Sequence, residues 1–194
     1  ESWYGSGFIK FLSQLKTTGQ WTPKNNKVHI VQEQIAYTQV ISKATQDAIA
    51  ASGGEWELAE VTDIQFPVQD WSPVLRALKA SDAGIIMIDH WVAAELAAFV
   101  QNYAVDPVEG ALVYLQYGPS QPEFLDLAGE AANGFIWGSV IGTYNDEMGA
   151  AFRAKYQAKY SGEMGMVYTG SGYDTAKILA EVWSTTDPED FDAV

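Results

Sequence analysis

The sequence predicts an α/β fold: a doubly wound, mostly parallel sheet with helices on both faces. Two observations carry this reading. The apolar spacing alternates along the chain between the helical and the extended period, giving a β-α-β-α order. The stretch "AGIIMID" (83–89) is apolar at nearly every position, as a strand covered on both faces must be.

Each element follows from its residues. Tyr4, Phe8, Phe11, Leu12 and Leu15 share one face of a first helix, which "TGQWTPKNN" breaks with glycine, proline and a polar pair. "KVHIVQ" (27–32) is a short apolar strand. Val40, Ile41, Ala44, Ala48 and Ile49 stripe a second helix that stops at the glycine signal "SGG" (52–54). "GEWELAEVTDI" (54–64) reads as an extended strand. Ser72 and Pro73 start a third helix, serine as cap and proline in the first turn, with Val74, Leu75 and Leu78 facing the core. Strand 83–89 follows, then a helix striped by Leu96, Phe99 and Val100. "ALVYLQY" (111–117) and "GFIWGSVI" (134–141) are two further strands around a helical stretch at 122–132. Beyond Ile141 the spacing is helical only. Phe152, Tyr156 and Tyr160 stripe one helix as its core side, and Ala176, Leu179, Val182 and Trp183 stripe another.

Composition bounds the function. The chain has 194 residues, 47% hydrophobic and 19% charged, which suits a packed globular protein. Eleven basic residues against 25 acidic ones leave a formal charge of −14. Such a surface repels phosphate backbones and anionic lipid, so nucleic acid and membrane surfaces are not expected partners. No apolar run approaches the roughly 20 residues of a membrane helix. The absence of cysteine excludes disulfides, thiolate zinc sites and a cysteine nucleophile. The chain starts at Glu1 with neither an initiator Met nor a signal pattern, so removal of an upstream segment is expected.

In open parallel sheets, ligands bind beyond the carboxyl ends of the strands. The residues there are Tyr37 after the first strand, Asp89, His90 and Trp91 after the third, Gln116, Tyr117 and Gly118 after the fourth, and "IGTYND" (141–146) after the fifth. They are aromatic and neutral polar, and poor in Lys and Arg. That suits a small organic solute held by stacking and hydrogen bonds, and does not suit a nucleotide phosphate. No G-x-G-x-x-G follows the first strand, and there is no G-x-x-x-x-G-K-S/T and no G-x-S-x-G elbow. His29 lies mid-strand and does not easily join His90, so no metal and no cofactor are expected. Three readings of Asp89 and His90 stay open: a catalytic pair, a helix N-cap at Asp89, and the lip of a pocket. Trp91, Tyr37 and Tyr117 serve equally as pocket walls or as packing. Glu55, Glu57 and Glu60 alternate as a solvated strand face.

The ordered set of motifs resembles a known family. A strand leads to a tyrosine-opened helix (Tyr37), then "SGG", a strand, "PVQDWSPVLRALKASDAG", "LAGEAANGFIWG" and "FRAKYQAKYSGEMGMVYTGSGYDTAKILAEVW". This series is similar to the second lobe of type I periplasmic solute-binding proteins, in particular the branched-chain amino acid and amide receptors of ABC transporters. The resemblance implies a two-lobed, hinged, non-enzymatic receptor in the periplasm or outside the cell. Such a receptor closes on a small solute and delivers it to a membrane permease. Family members are about twice this length, which implies a truncated chain. Residues 1–20 would be an interlobe helix belonging to the first lobe, 21–141 the second lobe, and 142–194 an incomplete return to the first.

The same resemblance places Tyr37, His90 and Trp91 at the cleft, and sets Tyr117 where many amino acid receptors carry an acidic residue for the ligand ammonium. Asp89 could supply that charge instead. Trp3 and Tyr4, in "SWYG", would border the cleft. Two other functions fit the same residues: a sensory ligand-binding domain of this fold, and a doubly wound hydrolase or transferase using Asp89 and His90.

Overall fold

The computed structural model describes residues 2–139, 145–165, 168–190 and 192. The chain divides into two compact units, Glu1–Pro119 with Glu123–Gly138, and Ser120–Pro122 with Ser139–Val194.

The first unit is the predicted α/β layer structure. Its elements are α1 (Ser2–Thr17), β1 (Lys27–Glu33), α2 (Ala36–Ala50), β2 (Glu57–Ile64), α3 (Ser72–Ser81), β3 (Ile85–Asp89), α4 (Ala93–Val105), β4 (Leu112–Leu115), α5 (Pro122–Ala128, at the junction of the units) and β5 (Ile136–Trp137). The sheet order is β2-β1-β3-β4-β5 and every neighbouring pair is parallel. β2 is an edge strand, and its Glu57, Glu60 and Asp63 are exposed.

Strand alternation sorts the apolar residues onto two faces. Val28, Ile30, Ile85, Met87 and Tyr114 form one core with Phe8, Ile9 and Leu12 of α1 and Ile41 and Ile49 of α2. Val31, Ile86, Ile88, Val113 and Leu115 form the other, with Val74 and Leu78 of α3, Leu96, Phe99 and Val100 of α4, and Phe124. All five residues of β3 are buried, which explains its unbroken apolar run.

Helix α1 therefore packs into this unit. Gly5 makes the close fit of α1 on α2: a Cβ there would meet the Ile41 carbonyl and the Thr45 hydroxyl. The apolar stripe of a helix shows that it packs, but not against which layer.

Three boundaries shift for local reasons. β2 begins at Glu57 rather than at 54, because Gly53 and Gly54 turn the chain with φ of 64° and 89°. Trp71, not Ser72, occupies the N-cap position of α3, and the Asp70 carboxylate accepts the Ser72 N–H at 2.9 Å. β5 spans two residues of the expected 134–141; residues 140 and 141 lie outside the described residues.

The N-cap reading of Asp89 is also corrected. α4 starts at Ala93 with Val92 at its cap position and no side-chain cap bond. Asp89 is instead the last residue of β3, too far back along the chain to reach the free amides of the first turn.

The second unit contains α6 (Glu147–Lys159) and α7 (Tyr168–Trp183). The Asp146 carboxylate caps α6 by accepting the Gly149 N–H at 2.7 Å. Phe152 and Tyr173 bring their rings to 5.0 Å. The stripe of Phe152, Tyr156 and Tyr160, expected as core, is only partly covered here: Tyr160 is half exposed. It lines an open groove of about 920 Å3 between the two helices.

Candidate functional site

The chain leaves β1 and β3 toward opposite edges of the sheet, β1 leading to β2 and β3 leading to β4. In open α/β sheets a crevice forms at such a reversal, beyond the carboxyl ends of the two strands. In register, Gln32 of β1 faces Asp89 of β3, and the Gln116 N–H after β4 donates to the Ile88 carbonyl at 3.3 Å. The residues named from the sequence thus converge here, but on two different faces.

Asp89 continues the row of Ile85 and Met87 toward α1 and α2. It is fully buried, and neither carboxylate oxygen has a hydrogen-bond partner in the protein. Gln116 is its neighbour across the sheet, also fully buried, with both amide atoms unpartnered. The Tyr37 hydroxyl is buried and finds no partner at hydrogen-bond geometry. The Tyr117 ring stands 6.1 Å from Tyr4 and 6.3 Å from Tyr37, so three phenol rings wall one side. Natively folded chains leave few buried polar groups unpaired, and here five such atoms lie at the ends of β3 and β4 and in the first turn of α2.

Burial sets the electrostatics. It pushes the Asp89 carboxyl well above the ordinary carboxylate range, and the Glu33 charge adds to this. The Ser42 backbone amide acts in the opposite sense without reaching hydrogen-bond geometry. Burial likewise raises the Tyr37 hydroxyl, with the nearby Tyr117 phenol and Asp89 adding to the shift. The Tyr114 hydroxyl is raised by burial too, and its ring stacks on Phe8 at 4.3 Å.

His90 turns to the opposite face. It is fully buried. Its Nδ1 lies 2.8 Å from Glu33 Oε2 in a hydrogen bond. Its Nε2 lies 3.0 Å from Glu95 Oε2, close but off the hydrogen-bond direction. Glu95 Oε2 also accepts the Val68 N–H at 2.8 Å, and the Glu95 carbonyl accepts the Trp71 indole N–H at 3.1 Å. The Trp71 ring meets His90 edge-on at 6.0 Å and 70°. The group ties the ends of β1 and β3 and the start of α4 to the 66–71 loop.

Asp89 and His90 are therefore not a catalytic pair: the imidazole Nδ1 is bonded to Glu33, with Glu95 near Nε2, and the Asp89 carboxylate has no hydrogen-bond partner in the protein. Nor is His90 at the lip. The sequence reading missed Glu33, Glu95 and Trp71. Glu33 was the legible one, since a carboxylate closing an apolar strand needs a partner. Trp91 stacks on Phe66 at 6.3 Å and 19°, with its indole N–H buried and unpartnered. Gly118 serves spacing, because a Cβ there would lie 2.7 Å from the Trp91 carbonyl oxygen and 2.5 Å from Leu96 Cδ1. Trp3 is 77% exposed beneath Lys10 Nζ and stands apart from the cluster. The strand end at 141–144 lies outside the described residues. His29 sits elsewhere in the sheet, between Ser81 Oγ and Thr62 Oγ1 at 2.8 Å each. Among the described residues, no three His, Asp or Glu side chains converge to hold a metal.

The sheet thus carries unpartnered polar groups and aromatic rings at its switch point. Residues 10–194 match the family model described as periplasmic binding protein, and the chain belongs to that family. It is 33% identical to a structure assigned as a branched-chain amino acid ABC transporter from Silicibacter pomeroyi, over 92% of this chain and 44% of that one, with a TM-score of 0.79. The fold is shared with a leucine-binding protein of Thermotoga maritima (19% identity, 94% and 49% coverage, TM-score 0.71). A type 1 periplasmic binding protein of Bordetella pertussis also shares it (22%, 95% and 50%, 0.73). The chain spans about half the length of these structures. A comparison with curated proteins finds no match.

Proposed function

We propose that this chain is the solute-binding component of an ABC uptake system. It would work outside the cytoplasm and hand a small organic solute, an amino acid, amide or aromatic acid, to a membrane permease. The observation that carries the reading is the set of unpartnered buried atoms of Asp89, Gln116 and Tyr37 beside the rings of Tyr4 and Tyr117. Such groups suit a preformed pocket in which a ligand completes the hydrogen bonds. On this reading the first unit is the second lobe of a hinged receptor, α1 included, and residues 139–194 return to the first lobe. Solute would be gripped as the lobes close. Family membership supports a binding role rather than catalysis, and no helix among the described residues is long and apolar enough to cross a membrane.

The test is a thermal-shift screen of amino acids, amides and aromatic acids on the full-length protein. At least one should raise the melting temperature in a concentration-dependent way. If the folded protein responds to none of them, the proposal fails.

A further inference from the structure

We propose that His29, Thr62 and Glu60 form a proton switch at the edge of the sheet: a proton taken from solvent by Glu60 passes through the Thr62 hydroxyl to His29 Nε2, and its arrival loosens β2 and α3, the two elements that flank the 66–71 loop. The switch sits back from the strand ends and does not depend on the binding reading.

Three features carry it. The first is placement. His29 is fully buried on β1, in register with Glu60 of β2 on one side and Ile86 of β3 on the other. Its ring bridges β2 and α3: Nε2 lies 2.8 Å from Thr62 Oγ1, and Nδ1 lies 2.8 Å from Ser81 Oγ. β2 ends at Ile64 and α3 begins at Ser72, so the loop with Phe66 and Trp71 is strung between these two elements.

The second feature is where the hydrogens go. Each hydroxyl has one to donate. Ser81 Oγ donates to the Leu78 carbonyl at 3.0 Å, so toward His29 it accepts, and Nδ1 carries the ring hydrogen. Nε2 of the neutral ring then accepts from Thr62. Thr62 Oγ1 has a second acceptor, Glu60 Oε1, at the longer distance of 3.4 Å. The opposite tautomer would exchange the 3.0 Å bond to Leu78 for that 3.4 Å bond. With hydrogen on both ring nitrogens, all four contacts are used at once.

The third feature is a route. Glu60 is exposed, Thr62 partly buried and His29 fully buried, in that order. The Glu60 O–H bond breaks as Thr62 Oγ1 takes its hydrogen, and the former Thr62 hydrogen forms the Nε2–H bond. Glu60 is left a carboxylate, Thr62 a hydroxyl turned toward it, and His29 an imidazolium.

Burial holds the His29 ring below its usual 6.5, and the Glu60 charge opposes this. On α3, Arg76 and Lys79 are exposed and Lys79 pairs with Asp106, while Asp82 at its end pairs with Lys24. β3 presents the apolar Ile86. Opening the edge returns the ring to water, so the opened state binds more protons below 6.5. The stability of the edge is fully present above 6.5 and is lost as pH falls through the folded value.

The experiment is nitrogen NMR of the histidine rings in the full-length protein, with amide hydrogen exchange read across the sheet. The ring that Thr62→Val perturbs should carry its hydrogen on Nδ1 at about pH 8 and titrate below its usual value. Glu60→Gln, an exposed substitution, should lower that midpoint further, because it removes the charge that favours the imidazolium. Protection of β2 and α3 amides, corrected for the intrinsic exchange rate, should fall roughly threefold or more relative to β3 and β4 between about pH 7 and about pH 5. A neutral ring with its hydrogen on Nε2, a midpoint that Glu60→Gln leaves in place or raises, or an edge whose protection follows the rest of the sheet overturns the switch. If Thr62→Val does not fold, nuclear Overhauser contacts from the ring to the Ser81 and Thr62 side chains assign it, and the same outcomes decide.

Discussion

Glu33 and His90 join the ends of two adjacent strands through one buried hydrogen bond of 2.8 Å. Water reaches neither side chain, so the bond cannot be replaced by solvent when one partner is removed. His90→Leu would leave the buried Glu33 carboxyl without its His90 partner. The loss should be about 1–3 kcal/mol of folding stability, the usual cost of leaving a buried hydrogen-bonding group without its partner. Urea denaturation checks it; a loss below about 1 kcal/mol, the level of an exposed pair, would show that the contact contributes little.

Asp89 should give stability an unusual pH slope. Its folded carboxyl is raised above the ordinary 3.8. The native state therefore holds more protons than the unfolded one. The associated stability is fully present below 3.8 and is lost as pH rises through the folded value. Asp89→Asn cannot ionise, so it should gain on the wild type as pH rises from about 4 to about 8. Melting temperatures of both proteins across that range test the sign. A constant difference would show that Asp89 does not titrate abnormally.

Two glycines in one helix should respond in opposite directions. Gly5 faces the α2 backbone with no room for a methyl, whereas a Cβ at Gly7 meets nothing within 4 Å. Gly5→Ala should cost about 1–3 kcal/mol by forcing the helices apart. Gly7→Ala should stabilise by about 0.5–1 kcal/mol, through the lower backbone entropy of alanine in a helix. Equal effects in denaturant titrations would contradict the close packing of α1 on α2.

Leu12 tests the same packing from the core. It is fully buried among Phe8, Ile41 and the β1 and β3 side chains. Leu12→Ala should cost about 2–5 kcal/mol. If α1 belonged to a separate lobe, the sheet unit would unfold at its wild-type midpoint.

The layer order was legible because it rests on periodicity, and Ile85–Asp89 shows why: a strand buried on both faces has no alternation to misread. The gathering of Asp89, Gln116 and Tyr37 was legible from topology, since they follow strands on either side of the switch point. What the sequence could not show was parity. Asp89 and His90 are neighbours in the chain, yet the pleat sends one to the tyrosine wall and the other to Glu33 and Glu95. Adjacent residues suggest one function until the strand geometry separates them. Glu95 and Trp71 were hidden for a different reason, since their positions depend on how the 66–71 loop folds back over α4.

The exposed acids of β2 bear on association rather than on binding. A parallel edge strand presents an unpaired row of backbone donors and acceptors to any passing chain. Glu57, Glu60 and Asp63 line this one, on a molecule of formal charge −14. A second copy approaching edge to edge would bring its own carboxylates against them, with no lysine interleaved along either strand. The edge thus stays open in hydrogen bonding and closed by repulsion, a guard against fibre-like growth that dissolved salt would weaken as the screening length shrinks toward about 3 Å at 1 M.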